Sequence, residues 1–358
     1  PRLDYSGGAS CPSLLLEPSR TNLIANSEYI NGADWTKTNV TITSNATTSP
    51  EGVANASKWV ASAVSGSKTI YNFISTSNDP HTAMGYFKAE EYPLAFIRLG
   101  GISGNPYVIY NLSTQSVVST SSLTSHSIED AGNGWYKITA TATTGSGLIA
   151  PNYSFIPSSG YTLDASNIPQ FTGDGTSGGF LWGCQCELGS YSSSLIPTYG
   201  TSASRAEDVC TKTQTFSEIK HNDVTLFYDF DHLGDLSAGQ NQFVAYFGSG
   251  KYLNLAQYDA NNYYVDTDIN GSYFFAVAFA ATEGRKKVAI KIDGLSWKVF
   301  FNGSKIIDTT LTQQSTNAMT EIILSGGTTS RPSFQSVHQA LAFPTALTDA
   351  ECITLTTL

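Results

Sequence analysis

The chain has 358 residues, 41% of them hydrophobic and 13% charged; this length allows two domains with substantial cores, and the charge is too low for disorder by self-repulsion. Its net charge of −10, with no basic stripe, argues against nucleic-acid binding, which depends on clustered Lys and Arg. No apolar run approaches about 18 residues, so we expect no membrane insertion.

The first 20 residues show no periodic pattern. Gly7-Gly8, Pro12 and Pro18 surround the apolar run Leu14–Leu16, and this composition predicts a connecting arm over residues 1–20. The run Leu14–Leu16 must pack on its own module, for which we expect the first one, or on a neighbouring subunit. No signal peptide is recognisable. Because the chain starts at Pro1 without Met, we expect it to be part of a longer protein.

Short segments of alternating polarity fill the next part of the chain. They predict strands at 35–45, 56–60, 68–74, 83–88, 95–99, 107–112, 134–143, 148–156 and 179–188. Gly-rich and Asn-rich turns separate them, and this spacing is typical of a sandwich or jelly roll, which we place at residues 21–208.

The five cysteines show no CxxC spacing and no regular framework. Cys184 and Cys186 lie two apart on one predicted strand, so both point to the same face. We interpret them as small core residues rather than a metal pair. Free thiols fit synthesis in a reducing compartment.

The second half repeats the pattern of short strands without repeating the sequence. Residues 190–204 are rich in Ser, Thr, Tyr, Gly and Pro, and residues 209–223 are interpreted as a linker. Strands are predicted at 224–230, 242–247, 252–256, 262–268, 272–278, 286–293, 296–301, 305–308, 321–324 and 339–343. Asn302-Gly303 predicts a hairpin turn, and Thr348 with Glu351 predicts a capped helix over 348–355. The fold class is therefore all-β: two β-sandwich or jelly-roll modules in tandem, the second at residues 224–358, with one short C-terminal helix.

Three segments of the first half resemble carbohydrate-binding jelly rolls of the family 4/9/22 type, in the version found in tailed-phage tail proteins. They are PRLDYSGGASCPSLLLEPSRTNLIANSEYI at 1–30, IEDAGNGWYKITAT at 128–141 and LWGCQCELGSYSSSLIPTYGTSASRAEDV at 181–209. The second half resembles a concanavalin A-like, or laminin-G-like, lectin fold through VAIKIDGLSWKVFFNGSKIID at 288–308 and LAFPTALTDAECITLTTL at 341–358.

This resemblance implies a tail fibre or receptor-binding protein that recognises a cell-surface glycan or polysaccharide of a bacterial host. It further implies a place in the virion tail after synthesis in the host cytoplasm, contacts with other virion tail proteins, and assembly as a homotrimer. Jelly rolls of this family often hold a structural Ca²⁺ where the first strand meets the last, and the matching positions are Asn26, Glu28 and Glu187. The closing strand offers one carboxylate where the family often has a pair of Asp residues.

Aromatic side chains are the candidate sugar contacts, because a sugar's CH face stacks on an aromatic ring. In the first module the candidates are Trp59, Tyr86 and Tyr107, whereas Trp135, Trp182 and Trp297 are expected in cores. In the second module a polar-aromatic run offers stacking and hydrogen-bonding groups together: Tyr258, Asn262, Tyr263, Tyr264, Asp266 and Tyr273. Each position alone is more typical of half-buried packing, so the run is a candidate only as a group.

Catalytic motifs do not stand out. The sequence has no ExDxxE pair of carboxylates on one strand, no HExxH, no GxSxG and no P-loop. We therefore expect a glycan-binding protein that is not an enzyme. The alternatives left open are a structural virion module without a ligand and a polysaccharide-degrading enzyme.

Overall fold

The computed structural model describes residues 2–4, 12–145, 147–233, 241–257, 259, 261–269, 271–325 and 335–358. Tyr258, one of the predicted sugar contacts, lies outside these residues. The described chain is built from strands and one short helix, which confirms the all-β fold class. It divides into two compact units, which we call the central module (residues 20–205) and the split module (residues 1–19 and 206–358).

The strands of the first 205 residues have the following bounds. They are β1 (Arg2–Asp4), β2 (Ser13–Leu16), β3 (Arg20–Asn22), β4 (Thr36–Thr38), β5 (Val40–Thr47), β6 (Ala56–Ala61), β7 (Ser65–Ser67), β8 (Thr69–Tyr71), β9 (Ile74–Thr76), β10 (Pro80–Ala89), β11 (Leu94–Gly100), β12 (Tyr107–Asn111), β13 (Ser116–Ser121), β14 (Ser125–Gly132), β15 (Trp135–Thr143), β16 (Gly147–Ile156), β17 (Thr162–Leu163), β18 (Pro169–Thr172), β19 (Gly178–Leu188) and β20 (Ala203–Arg205).

The central module is a sandwich of two antiparallel sheets. One sheet has the order β14-β15-β10-β19-β6-β5, and the other has the order β13-β12-β11-β16-β8-β4, with β9 also paired to β16. Large aromatic side chains fill the space between them, among them Trp59, Phe87 and Tyr153. Cys184 and Cys186 are fully buried in the same core, which confirms their prediction as core residues. The side chains on the inner faces of the two sheets form this core, and their burial stabilises the sandwich.

The remaining elements belong to the split module. They are β21 (Cys210–Lys220), β22 (Asp223–His232), β23 (Asn241–Tyr246), β24 (Lys251–Gln257), β25 (Asn262–Ile269), β26 (Ser272–Ala280), β27 (Gly284–Asp293), β28 (Ser296–Phe301), β29 (Ser304–Thr310), β30 (Ala318–Ser325), β31 (Gln335–Phe343) and helix α1 (Asp349–Thr356).

The split module is also a two-layer sandwich. One layer has the order β1-β2-β31-β22-β27-β28-β29, and the other has the order β21-β30-β23-β24-β25-β26. Among the described strands, the two layers are paired with each other at one position only. There Lys220 lies opposite Asp223, at the turn from β21 to β22. Stacked rings join the layers across the core: Tyr228 lies 5.2 Å from Phe243, centroid to centroid.

The structure corrects the predicted arm and the predicted linker. Strand β2 pairs with β31, with Leu16 opposite Gln335, and Leu16 is fully buried in the core of the split module. The predicted linker at 209–223 is largely strand β21, which pairs with β30. Both segments pair with strands about 100 or more positions away, which local patterns cannot show. Strand β21 also keeps most of its polar side chains exposed.

The short-range signals of the second half are confirmed. Asn302 and Gly303 have φ angles of 45° and 79°, the left-handed pair that a two-residue hairpin turn requires between β28 and β29. The side chain of Thr348 accepts a hydrogen bond from the Glu351 amide, and the Glu351 side chain reaches back to the Thr348 backbone. Helix α1 covers the outer face of β27 and β28, where Cys352 is fully buried. Among the described residues, no helix is long and apolar enough to cross a membrane.

Candidate glycan-binding face

Three neighbouring strands of the split module, β24, β25 and β26, present polar and aromatic side chains on one face. Alternation sends residues such as Leu253 and Val265 into the core and every second residue to the opposite face. The register places Asn254 opposite Asp266 and Asp266 opposite Phe275. We call this surface the tyrosine face; its members are Tyr252, Asn254, Tyr264, Asp266, Tyr273 and Phe275.

Asp266 is the polar centre of the tyrosine face. It is only 3% exposed, and its carboxylate accepts hydrogen bonds from the Tyr252 hydroxyl and the Asn254 amide, both at 2.9 Å. The Tyr273 hydroxyl lies near enough to this carboxylate to lower its pKa slightly. Because its oxygens are already occupied and enclosed, Asp266 orients Tyr252 and Asn254 rather than reaching a ligand itself.

The aromatic rings are the accessible part of this face. Tyr273 is 54% exposed and Phe275 is 39% exposed, and their centroids are 6.3 Å apart with an interplanar angle of 23°. Tyr264 supports Phe275 from the neighbouring strand at 5.1 Å. Rings that are held in place by packing and hydrogen bonds lose little conformational entropy when a ligand stacks on them, which favours binding. The arrangement can bind the CH face of a sugar and donate or accept hydrogen bonds through phenol groups.

The charge state of Asp266 makes the stability of this face pH-dependent. Burial raises the pKa of Asp266 from 3.8 to about 6, partly opposed by its hydrogen bonds from Tyr252 and Asn254. The folded protein therefore binds a proton more tightly than the unfolded chain does. Between about pH 4 and pH 6 the free energy of unfolding falls as the pH rises, by up to about 3 kcal/mol from this group.

We expect Asp266→Asn to remove this contribution. Unfolding of the wild type and the variant is compared by urea titration at several pH values from 3.5 to 7.5, because the other titrating groups are common to both proteins. The difference between the two free energies should change with pH across this window and be constant above it. A difference that does not depend on pH would show that the pKa of Asp266 is the same in the folded and the unfolded chain.

The structure brings together three of the residues predicted in the second module, namely Tyr264, Asp266 and Tyr273. The prediction of Tyr263 as a sugar contact is wrong: its side chain is fully buried in the core, where its hydroxyl bonds to His232 Nδ1 at 2.6 Å. Neighbouring residues of a strand point to opposite faces, so Tyr263 and Tyr264 cannot both line one surface. Asn262 instead braces a turn through two bonds of its amide to the Asp259 carboxylate.

Sequence reasoning missed Tyr252, Asn254 and Phe275. The signal was present in β24, where Leu253 and Leu255 alternate with Tyr252 and Asn254. Alternation therefore assigns the two polar residues to the face opposite the core. Only the pairing of β24 with β25 shows that these two residues lie beside the polar residues of β25.

The predicted sugar contacts of the central module do not form a common surface. The prediction for Trp59 is wrong, because its ring is fully buried in the core against Phe155 at 5.8 Å. Tyr86 is half-buried and packs on Trp182 at 5.2 Å, on the outer face of the six-stranded sheet. Tyr107 lies on the other sheet, is 7% exposed, and bonds through its hydroxyl to Ser119 at 2.8 Å. As predicted, Trp135, Trp182 and Trp297 are buried.

The predicted calcium ligands have separate sets of partners. Both carboxylate oxygens of Glu187 accept hydrogen bonds from Ser193, at 2.8 Å and 2.6 Å, and burial raises the pKa of Glu187. Glu28 accepts hydrogen bonds from Asn55 and Tyr199. Asn26 donates to Asp34 at 2.8 Å and accepts from the Gly200 amide.

Among the described residues, Glu187 thus shares no hydrogen-bond partner with Asn26 or Glu28. Within the described part of the chain, no three His, Cys, Asp or Glu side chains are grouped as a metal site would need. The calcium site stays a prediction.

Two carboxylates, Asp229 and Asp231, lie two residues apart on β22, a spacing that could in principle serve acid–base chemistry. Asp229 forms a bidentate ion pair with Arg285, at 2.9 Å and 2.8 Å. Asp231 lies 2.6 Å from His338 Nε2. Each carboxylate is therefore held by its own cationic or imidazole partner, an arrangement typical of a structural pair.

No family model and no curated protein matches the chain. Solved structures similar to it include the CBM40 of the Ruminococcus gnavus IT-sialidase bound to α2,3-sialyllactose, at 17% identity, a TM-score of 0.34, and coverage of 42% of this chain and 98% of that one. Domains LG4-5 of the mouse laminin α1 chain match at 8% identity and a TM-score of 0.27, covering 81% and 92%. The GH43 protein BlXynB from Bacillus licheniformis matches at 11% identity and a TM-score of 0.27, covering 81% and 72%. At these scores the similarities carry no argument about ligand or activity.

Proposed function

We propose that the chain binds a glycan through the tyrosine face and performs no catalysis on it. The observation that supports this most is the exposed and nearly parallel ring pair of Tyr273 and Phe275, on the same sheet face as a buried carboxylate that holds the Tyr252 hydroxyl. Exposed aromatic rings beside polar groups are suited to sugar stacking, whereas rings packed in a core cannot serve. The proposed ligand is a cell-surface polysaccharide of a bacterial host.

We further propose that this binding serves host attachment, with the chain forming the distal part of a phage tail protein in the virion. The support for this step is the resemblance of residues 1–30, 128–141 and 181–209 to jelly rolls of phage tail proteins. A structural tail module without a ligand is the rival; it would leave the exposed rings of Tyr273 and Phe275 to contact other tail proteins.

The labelled protein should stain the host cells, and purified surface polysaccharide of the same strain should compete. Staining that the polysaccharide does not reduce would contradict glycan recognition. Incubation of the polysaccharide with the chain should release no new reducing ends. Their release would make the protein an enzyme.

A homotrimer is also proposed, on the resemblance alone. The run Leu14–Leu16 gives it no support, because Leu16 packs inside its own module. Linked copies would raise avidity for weak sugar sites without new contacts. Light scattering at micromolar concentration should give the mass of three chains; the mass of one chain would show that this segment does not trimerise by itself.

A structural calcium ion at Asn26, Glu28 and Glu187 would clamp the two ends of the central module. Excess Ca²⁺ is then expected to raise the melting temperature relative to EGTA, because a ligand that binds only the folded state stabilises it. Equal melting temperatures in Ca²⁺ and EGTA, with Mg²⁺ as the control, would remove this proposal.

A further inference from the structure

A buried cation lies in the central module, on the outer side of the sheet that contains β11. Arg98 is 6% exposed, and the register places it between Tyr107 on β12 and Asn152 on β16. Its neighbours along the strand, Ile97 and Leu99, point into the core. A charged group at such a position is rare unless a partner neutralises it.

The partners of Arg98 do not neutralise it. Nη2 donates to the side-chain oxygen of Asn105 at 2.7 Å, and this acceptor is a neutral amide. Nε is enclosed and has no hydrogen-bond partner in the described part of the chain. No carboxylate of the described residues lies within the 4.0 Å of an ion pair to Arg98.

Among the described residues, the charged group that acts on Arg98 is the carboxylate of Asp164. Burial lowers the pKa of Arg98, and Asp164 raises it only through a longer-range interaction. The Asp164 carboxylate is already engaged by the amides of Ser166 and Ile168 and by the side chain of Gln170. These donors are neutral and leave the Asp164 carboxylate its negative charge, so the positive charge of the guanidinium is offset only in part, from beyond ion-pair distance.

The backbone leaves room for the end of this side chain. A Cβ atom at Gly100 would lie 2.3 Å from Arg98 Nη1, so only glycine permits the guanidinium to extend there. Nη1 has no hydrogen-bond partner in the described structure, and it is not among the fully enclosed nitrogens, as Nε is. Nη1 is thus the one nitrogen of this guanidinium, within the described structure, that has neither a partner nor a complete enclosure.

We propose that Arg98 anchors a second ligand site, which binds the carboxylate of an acidic sugar. A planar guanidinium matches a carboxylate with two parallel hydrogen bonds, and the negative charge of a carboxylate is attracted by the part of the Arg98 charge that Asp164 does not offset. The side-chain amide nitrogen of Asn105 and the side-chain oxygen of Asn167 have no hydrogen-bond partner among the described residues and suit the hydroxyl groups of a sugar. The site lies in the central module and does not depend on the tyrosine face.

Titration calorimetry of the full chain at pH 7 and low salt tests this proposal with D-glucuronic acid, N-acetylneuraminic acid and D-glucose. One or both acids should bind with a millimolar Kd while glucose does not, and the acid that binds distinguishes a hexuronic from a nonulosonic ligand. The methyl ester of the acid that binds should fail, because it lacks the charge. Equal binding of glucose, or no saturable binding of either acid, would overturn the proposal.

Asn105→Asp provides the decisive variant, because it places a carboxylate at an atom that already lies 2.7 Å from Nη2. An internal ion pair should then displace the ligand and weaken acid binding at least about tenfold, without loss of thermal stability. The matched control is Lys137→Met, which removes a positive charge from the other sheet of the same module. Acid binding by Asn105→Asp that equals the wild type, or an equal loss in Lys137→Met, would refute a site at Arg98.

Discussion

Replacing Tyr273 and Phe275 together by alanine is expected to weaken binding of the host polysaccharide by roughly 30- to 150-fold. Each ring contributes stacking and apolar contact, and the loss of two such contacts is worth about 2–3 kcal/mol, at about 1.4 kcal/mol for each factor of ten in Kd. The fold should survive, because the two side chains are 54% and 39% exposed.

Biolayer interferometry on immobilised polysaccharide measures this effect. Tyr29→Ala is the matched control, since Tyr29 is 53% exposed and lies in the central module. It should leave binding unchanged. A double variant that binds as tightly as the wild type, while Tyr29→Ala weakens binding, would move the site to the central module.

Replacing Leu16 by alanine should destabilise the split module by about 2–5 kcal/mol, the range for a large side chain removed from a packed core. Leu16 is fully buried with Val337 and Phe230 in that core, although the whole central module separates it in sequence from the rest of the split module. Leu3→Ala is the control from the same segment, because Leu3 is 59% exposed and its loss should cost less than about 0.5 kcal/mol.

The burial of Leu16 also predicts that the split module is stable only when both of its segments are present. Residues 206–358 alone lack β1 and β2, so they should aggregate or unfold at a lower temperature than a chain in which a short Gly-Ser linker joins residues 1–19 to residues 206–358. The two segments meet through reciprocal bonds between Glu17 and Asp208. Equal melting of both fragments, together with a neutral Leu16→Ala, would show that the N-terminal strands contribute nothing to the split module.

Local signals predicted much of this fold correctly. The Asn302-Gly303 hairpin, the Thr348–Glu351 capping box and the same-face pair Cys184 and Cys186 each depend on residues within a few positions of one another. Strand pairing between distant segments could not be predicted in this way. Strand β2, with the short run SLLL, becomes recognisable only through its partner β31.

The candidate site was predicted in part for the same physical reason. Asp266 and Tyr273 were identified from composition, and Tyr264 shares the strand face of Asp266. Alternation would have excluded Tyr263 from the candidate site, because it lies two residues before the core residue Val265 and therefore points to the same face. The role of Asp266 as an orienting group depends on Tyr252 across the strand pair, and only the register shows this contact.

Aromatic NMR of the full chain with labelled tyrosines tests glycan binding at the tyrosine face. An oligosaccharide of the host polysaccharide, selected on a glycan array, is titrated into the protein and the tyrosine signals are assigned by Tyr→Phe variants. Shifts are expected at Tyr252, Tyr264 and Tyr273, with the buried Tyr263 unchanged. Saturable binding that leaves these three signals in place would contradict glycan recognition by the tyrosine face.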